Sequence, residues 1–271
     1  MKKEYSRENV TAIRKSPYPR VLLNACTHGN EKVGLRVLKH FKDVELLRGT
    51  LMLHIANKQA VSKNIRFVDH DLNRVFPGKR KGSHEEMLAY AMTPFIKAFD
   101  VVIDVHSTES GLTSSVIVTT LTPEARNLIT AIAPKQVIHM VATESNALIS
   151  NAKIGISFEC GKDKSEQTYR ETVRGITRSL EYLHMLPAHK KSSRGKTCPS
   201  LYEAFAILPK PEGYVVYSRI KNFKLIKKGE PIGYHPATKK RILAPRAFYP
   251  ILFGKNSYKT VFGFMGKKKS L

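Results

Sequence analysis

The chain has 271 residues, enough for one large domain or a larger and a smaller one, each with a buried core. Apolar residues make up 42% and charged residues 25%, the balance of a soluble globular protein, and no apolar run approaches the roughly 18 residues of a membrane-spanning helix. Forty-six Lys and Arg against 22 Asp and Glu give a net charge of +24, which favours acidic substrates or polyanionic partners and salt-sensitive association.

Common RNA-binding modules carry interleaved aromatic and basic signatures, and zinc fingers carry paired Cys and His. The sequence has neither, so nucleic acid is not the expected main partner. The first 20 residues contain lysines but no following apolar segment, unlike a secretory signal. Cys26, Cys160 and Cys198 are odd in number and lack CxxC spacing, so neither a disulfide framework nor a cysteine zinc site is expected. A reducing cytoplasm is the expected setting.

In chain order, "RVLLNA" (20–25) and "TLMLHIAN" (50–57) read as strands around a helix, 32–41, whose apolar residues Val33, Val37, Leu38 and Phe41 fall at helical spacing. A second helix, 82–99, opens with Ser83 and Glu86 at capping-box spacing, and Pro94 predicts a kink. A buried strand, 100–106, precedes a helix at 122–133 with Thr122 as cap and Pro123 in the first helical position. Strands follow at 136–142 and 153–161, then a long helix at 165–186 with Val173, Ile176, Leu180 and Leu183 on one stripe. Alternating strands and helices predict an α/β layer fold with a mostly parallel sheet. Beyond residue 198 the sequence turns to Gly, Pro and β-formers, with short strands in "GYVVYSRI", "KLIKKGEPIGYH" and "FYPILF". Two domains are expected, 1–190 and a small all-β domain at 191–271.

Three predicted strand ends carry polar residues: His28 with Glu31, His106, and Glu159. In a parallel sheet such ends gather on one edge. Two histidines and a carboxylate are the ligand set of a catalytic zinc that keeps one position open for water, and a further glutamate could act as base. Asp104, two residues before His106, could accept from a ligand histidine's other N–H, that of His28 for example. Each piece alone is ordinary, because a single histidine at a strand end more often satisfies a hydrogen bond than binds a metal. The segment "RFVDHDLNRVFPG" (66–78) adds Arg66, Asn73 and Arg74, residue types that grip a carboxylate.

Together these pieces resemble the aspartoacylase and succinylglutamate desuccinylase family, a branch of the zinc carboxypeptidase fold. The matching stretches are "HGNE" (28–31), "DLNRVFPG" (71–78), "DVHST" (104–108) and "ECG" (159–161), with a fifth in "YPILFGKNSYKTVFGF" (249–264). The resemblance implies a mixed or mostly parallel sheet flanked by helices, with a small C-terminal β domain capping the site. It also implies one Zn2+ per chain on His28, Glu31 and His106. Glu159 would activate water and protonate the leaving amine, and Arg66 would stabilise the oxyanion. Asn73, Arg74 and Tyr258 would hold the substrate. Aspartoacylase also reads its substrate with an arginine and a tyrosine a little upstream of the catalytic glutamate. Here that stretch, 142–161, has neither and offers Glu144, Ser145, Asn146, Ser150 and Asn151. The expected function is therefore hydrolysis of the linear amide of a small anionic N-acyl amino acid. A carboxypeptidase-like peptidase and a non-catalytic basic binding protein are the alternatives, and a homo-oligomer is left open.

Overall fold

The computed structural model describes residues 10–143, 146–188, 199–254 and 258–271. The first half is built from β1 (Val10–Arg14), β2 (Arg20–Ala25), α1 (Val33–Phe41), β3 (Thr50–Ile55), α2 (Lys58–Lys63), α3 (His84–Lys97) and β4 (Val101–His106). It continues through β5 (Ser115–Val118), α4 (Pro123–Ile132), β6 (Gln136–Met140), β7 (Gly155–Glu159) and α5 (Glu166–Tyr182). The remainder is β8 (Ser200–Pro209), β9 (Val215–Val216), β10 (Pro231–Tyr234), β11 (Arg241–Leu243), β12 (Tyr249–Ile251) and β13 (Val261–Lys269).

Among the described residues ten strands form one mixed sheet in the order β1-β3-β2-β4-β7-β5-β6-β8-β13-β12, and β11-β10-β9 form a small antiparallel one. The pairs β2–β3, β2–β4 and β4–β7 are parallel, which brings the carboxyl ends of β2, β4 and β7 to one edge. In that register His106 lies beside Glu159 and Asn24 beside Asp104.

The central strands are apolar because both faces are covered. Val33, Val37 and Phe41 of α1 pack with Ile176 and Leu180 of α5 and Leu128 of α4 in one core, with the strand residues Val21, Leu23, Ile103 and Val105. Ala89, Met92 and Ile96 of α3 cover the other face against Leu22 and Val102. The capping box of α3 forms as its sequence predicts, Ser83 receiving the Glu86 N–H and Glu86 the Ser83 N–H, and the helix continues past Pro94 to Lys97.

Several elements depart from their expected form. The strand β5, absent from the sequence reading, runs antiparallel to β7 and parallel to β6, and the pairs β1–β3, β8–β13 and β12–β13 are antiparallel as well. The strands expected at 213–220 and 224–235 shrink to Val215–Val216 and Pro231–Tyr234, because exposed turns at 218–219 and 228–229 interrupt them. In the C-terminal region β8, β13 and β12 extend the large sheet, and β9 to β11 stand apart from it. Residues 189–198, which hold the expected boundary at 190/191 and Cys198, lie outside the described residues, as do Glu144 and Ser145.

Candidate metal centre

The "NACTHGNE" turn leaves β2 through Cys26, which adopts a positive φ of 57°. Gly29 fits where nothing larger can, since a Cβ there would come within 2.1 Å of the Ala60 carbonyl carbon. The turn closes with Glu31 N–H donating to His28 O at 3.1 Å, and Gly29 N–H donates to Arg66 O at 3.1 Å. Asp163, from the loop after Glu159, accepts the Val33 N–H at 2.6 Å and so ties the start of α1 to that loop.

Both histidines turn Nδ1 toward Glu31, His28 at 2.7 Å from Oε1 and His106 at 3.0 Å from Oε2. Both turn Nε2 toward an aspartate. His28 meets Asp71 Oδ1 at 3.0 Å and His106 meets Asp104 Oδ2 at 2.7 Å. An imidazole that donates Nε2–H to a carboxylate presents the Nδ1 lone pair, the arrangement that outer carboxylates impose on metal-binding histidines. With that tautomer Nδ1 and the Glu31 oxygens are all acceptors pointed at one another, and a cation between them relieves the contact. Among the described residues His28, Glu31 and His106 form a buried group whose donor atoms all lie within 4.8 Å of one another. Two nitrogens and a carboxylate oxygen at that spacing fit zinc with a fourth position left open.

Asp104 therefore serves His106, not His28 as the sequence suggested. Residues two apart on a strand share a face, and the partner of His28 is Asp71, one residue before the short helical turn of Leu72–Arg74. Asp104 is itself held by the Asn24 amide at 2.7 Å and the Thr27 hydroxyl at 2.9 Å.

Arg66 bridges two of these carboxylates, donating to Glu31 Oε1 at 3.2 Å and Asp71 Oδ2 at 3.0 Å. Burial works against its charge, but Asp71 and Glu31 more than offset that and keep the guanidinium ionised. Burial likewise disfavours the charges of Glu31 and Asp71. Against the effect of burial, Glu31 and Asp71 raise the pKa of His28, and Asp104 and Glu31 raise that of His106. In their charged form the two histidines hold Glu31, and His28 with Arg66 holds Asp71, well below the usual carboxylate range. Glu159 behaves differently. Burial pushes its carboxyl up to about 7, Glu31 adds to this, and the neighbouring histidines and Arg66 pull the other way. Its buried Oε2 has no hydrogen-bond partner among the described residues, an exception among buried polar atoms.

His28, Glu31, Arg66, Glu159 and Tyr258 line one cavity of about 280 Å³ with Thr108 and Glu109 on its wall. Tyr258 is half-buried, and desolvation together with Glu159 suppresses the acidity of its phenol. Asn73 and Arg74 stand differently. The Asn73 amide accepts the Leu148 N–H at 2.9 Å and lies 3.3 Å from His106 Nε2, and the exposed Arg74 donates to the Asn73 carbonyl at 2.8 Å. Neither lines the cavity.

The loop carrying Arg66 to Arg74 is anchored by Glu85, whose role the sequence reading missed because Glu86 beside it fits the capping box. The fully buried Glu85 carboxylate accepts from Val68 N–H at 2.6 Å, Asn57 Nδ2 at 2.9 Å, Asp69 N–H at 2.9 Å and His70 N–H at 3.0 Å. Burial alone would raise its pKa, but these hydrogen bonds hold it below the usual value. No local pattern announces such an anchor, since its partners lie 15 to 28 residues away.

Fold and donor set define an α/β protein with a two-histidine, one-carboxylate centre at the carboxyl edge of a mixed sheet. The chain belongs to the succinylglutamate desuccinylase/aspartoacylase family, whose catalytic-domain model matches residues 17–183. It is 27% identical over 249 residues to a probable aspartoacylase of Acaryochloris marina, covering 83% of this chain and 80% of that protein. It is 30% identical over 122 residues to the human N-acyl-aromatic-L-amino acid amidohydrolase, a match covering only 39% and 38% of the two chains. Among solved structures, a succinylglutamate desuccinylase/aspartoacylase from Rhodobacter sphaeroides superposes with a TM-score of 0.77 at 17% identity, over 97% of this chain and 89% of that one. Murine aminoacylase 3 superposes at 0.76 with 19% identity, over 94% and 97%. The shared fold is thus more extensive than the shared sequence. No helix among the described residues is long and apolar enough to cross a membrane.

Proposed function

We propose that the protein is a zinc-dependent amidohydrolase that cleaves the amide of an N-acyl amino acid to a carboxylic acid and an amine. The observation that carries this reading is the half-buried Glu159, whose buried Oε2 has no hydrogen-bond partner among the described residues, in one cavity with His28, Glu31 and Arg66. His28 Nδ1, the Glu31 carboxylate and His106 Nδ1 would hold the metal, with Asp71 and Asp104 fixing the two imidazoles. Zinc so held supplies Lewis acidity, which acidifies water and polarises a carbonyl.

The chain's own groups do the rest. Glu159 takes a proton from the attacking water and returns it to the leaving nitrogen, work suited to a carboxyl whose burial pushes it up to about 7. Arg66, held charged by Asp71 and Glu31, faces the oxyanion that develops at the acyl carbon. Tyr258 excludes water and donates its phenolic O–H to the substrate. Asn73 fixes the His106 side of the site, and Arg74 beside it meets an incoming carboxylate at the rim. In this reading residues 1–190 supply the metal and the acid–base groups, and residues 191–271 cap them. A cytoplasmic setting belongs to the same proposal.

The resemblance to a probable aspartoacylase and to an N-acyl-aromatic-L-amino acid amidohydrolase supports the deacylase over the peptidase. The test is amine release by the zinc-loaded chain from N-acetyl, N-formyl and N-succinyl amino acids and from dipeptides, with the Glu159→Gln variant alongside. One acylamino acid class should turn over, and the variant should lose about 10²–10⁴-fold in kcat. Cleavage of dipeptides alone would move the assignment to a peptidase. Stoichiometric zinc binding with no turnover across the panel would favour a binding protein.

A further inference from the structure

The loop that follows His106 borders a second cavity, about 840 Å³ against about 280 Å³ for the one over the histidines. Ser107 to Glu109 line the smaller cavity and Glu109 to Thr113 the larger, so Glu109 is common to both. The far wall of the larger cavity comes from the C-terminal region. Tyr217 and Tyr234 stand there with rings stacked at 4.7 Å and an interplanar angle of 28°, and Phe223 and Phe253 extend the apolar surface. Lys162 and Lys221 supply two cations against one carboxylate, Glu109, which already lies 3.9 Å from the Lys162 ammonium. Asn222 fastens the two walls together. Its amide donates to Ser110 O at 2.6 Å and Phe253 O at 2.9 Å and accepts the Phe253 N–H at 2.9 Å.

Charge differs sharply between the two cavities. Arg66 and His28 face four carboxylates in the smaller one, from Glu31, Glu109, Glu159 and Asp163. The stretch before Glu159, residues 142–161, has no arginine or tyrosine to hold a substrate carboxylate remote from the amide. The cations lining the larger cavity are Lys162 and Lys221. An 840 Å³ volume walled by aromatic rings and two ammonium groups also has the size and composition of a small-molecule site.

We propose that the second cavity is a substrate subsite. It holds the distal part of an extended N-acyl amino acid, an aromatic or aliphatic body ending in a carboxylate, while the amide lies over His28 and His106. The apolar body packs on the Tyr217–Tyr234 pair and Phe223, and the terminal carboxylate meets Lys221 and Lys162. This inference rests on the deacylase reading and adds the substrate class to it.

The extension can lie on either side of the amide, and two probes separate the cases. N-adipoyl-L-alanine extends the acyl side, N-acetyl-para-carboxyphenylalanine extends the amine side, and N-acetyl-L-alanine is the short reference. With the zinc-loaded full chain, one extended probe should exceed the reference by about tenfold in kcat/KM, chiefly through KM. That ratio should fall about tenfold in Lys221→Glu and about fivefold in Tyr217→Ala, and survive in Lys221→Arg. Calorimetric binding of the same probes to Glu159→Gln protein gives a reading that needs no turnover. Turnover without preference for either extended probe, or a preference that both substitutions leave intact, overturns the subsite and leaves the deacylase standing. Binding that depends on Lys221, without turnover by the unsubstituted chain, keeps the subsite and overturns the deacylase. If neither extended probe binds, the subsite is wrong.

Discussion

Replacing Glu85 with alanine removes one side chain that touches no cavity wall, and it should nevertheless damage the site. Four donors lose their acceptor: the Val68, Asp69 and His70 N–H groups and the Asn57 amide. Asp69 and His70 lie at the surface, where water replaces most of what is lost. Val68 is half-buried and Asn57 fully buried, and for them the cost is about 1–3 kcal/mol each. The sum, with a smaller share from the two surface groups, is on the order of 4 kcal/mol. In a chain of this size that lowers Tm by roughly 10 °C.

Glu85→Gln should cost about half as much, because its single carbonyl oxygen still serves two of the donors. The freed loop carries Arg66 and Asp71, so kcat/KM should drop about tenfold or more at a temperature where the variant is still folded. Urea and thermal denaturation give the stability, and amine release gives the activity. A pH series adds an independent check. The folded pKa of Glu85 lies below its ordinary 4.5, so the stability it contributes is fully present above pH 4.5 and is lost as pH falls through the folded value. Glu85→Gln should show a shallower acid loss than the unsubstituted chain. A cost under about 1 kcal/mol, or full destabilisation with unchanged activity, would refute the anchoring argument.

Chelation should lower both activity and Tm, zinc should restore them at one ion per chain, and Glu31→Gln should reduce the zinc retained after dialysis, as read by atomic absorption. Asp71→Asn and Asp104→Asn should each weaken zinc binding by about 10–100-fold in competition with a chelating dye, through His28 and His106 respectively; equal affinity would remove the aspartates from the metal's support. Gly29→Ala should lose most metal binding, because its Cβ would sit 2.1 Å from the Ala60 backbone and must displace the turn, and zinc titration of the refolded variant tests this. The Cys26 and Cys160 thiols, buried and pushed up to about 12, should resist iodoacetamide at neutral pH in a Cys198→Ser background until denaturant is added, as mass spectrometry would show.

The sequence alone was sufficient for whatever is encoded locally. Apolar spacing in Val33, Val37 and Phe41 specifies the face of α1, Ser83 and Glu86 specify a helix start, and "HGNE" with "DVHST" carries the two histidines and the glutamate of the candidate centre in order. These signals survive in one dimension because period and capping act within a few residues. A mixed or mostly parallel sheet was implied by the resemblance, but the residues did not show which strands run antiparallel. The direction of β5 depends on its pairing with β7, and its four buried residues read alike in either direction. The division of labour among carboxylates was hidden for the same reason. That Asp104 serves His106 while Asp71 serves His28, that Glu85 holds a loop 15 residues back, and that Glu159 keeps a buried oxygen unpartnered among the described residues all follow from where distant segments meet. Tertiary packing decides them, because a carboxylate's role is set by the donors and the dielectric around it and not by its neighbours along the chain.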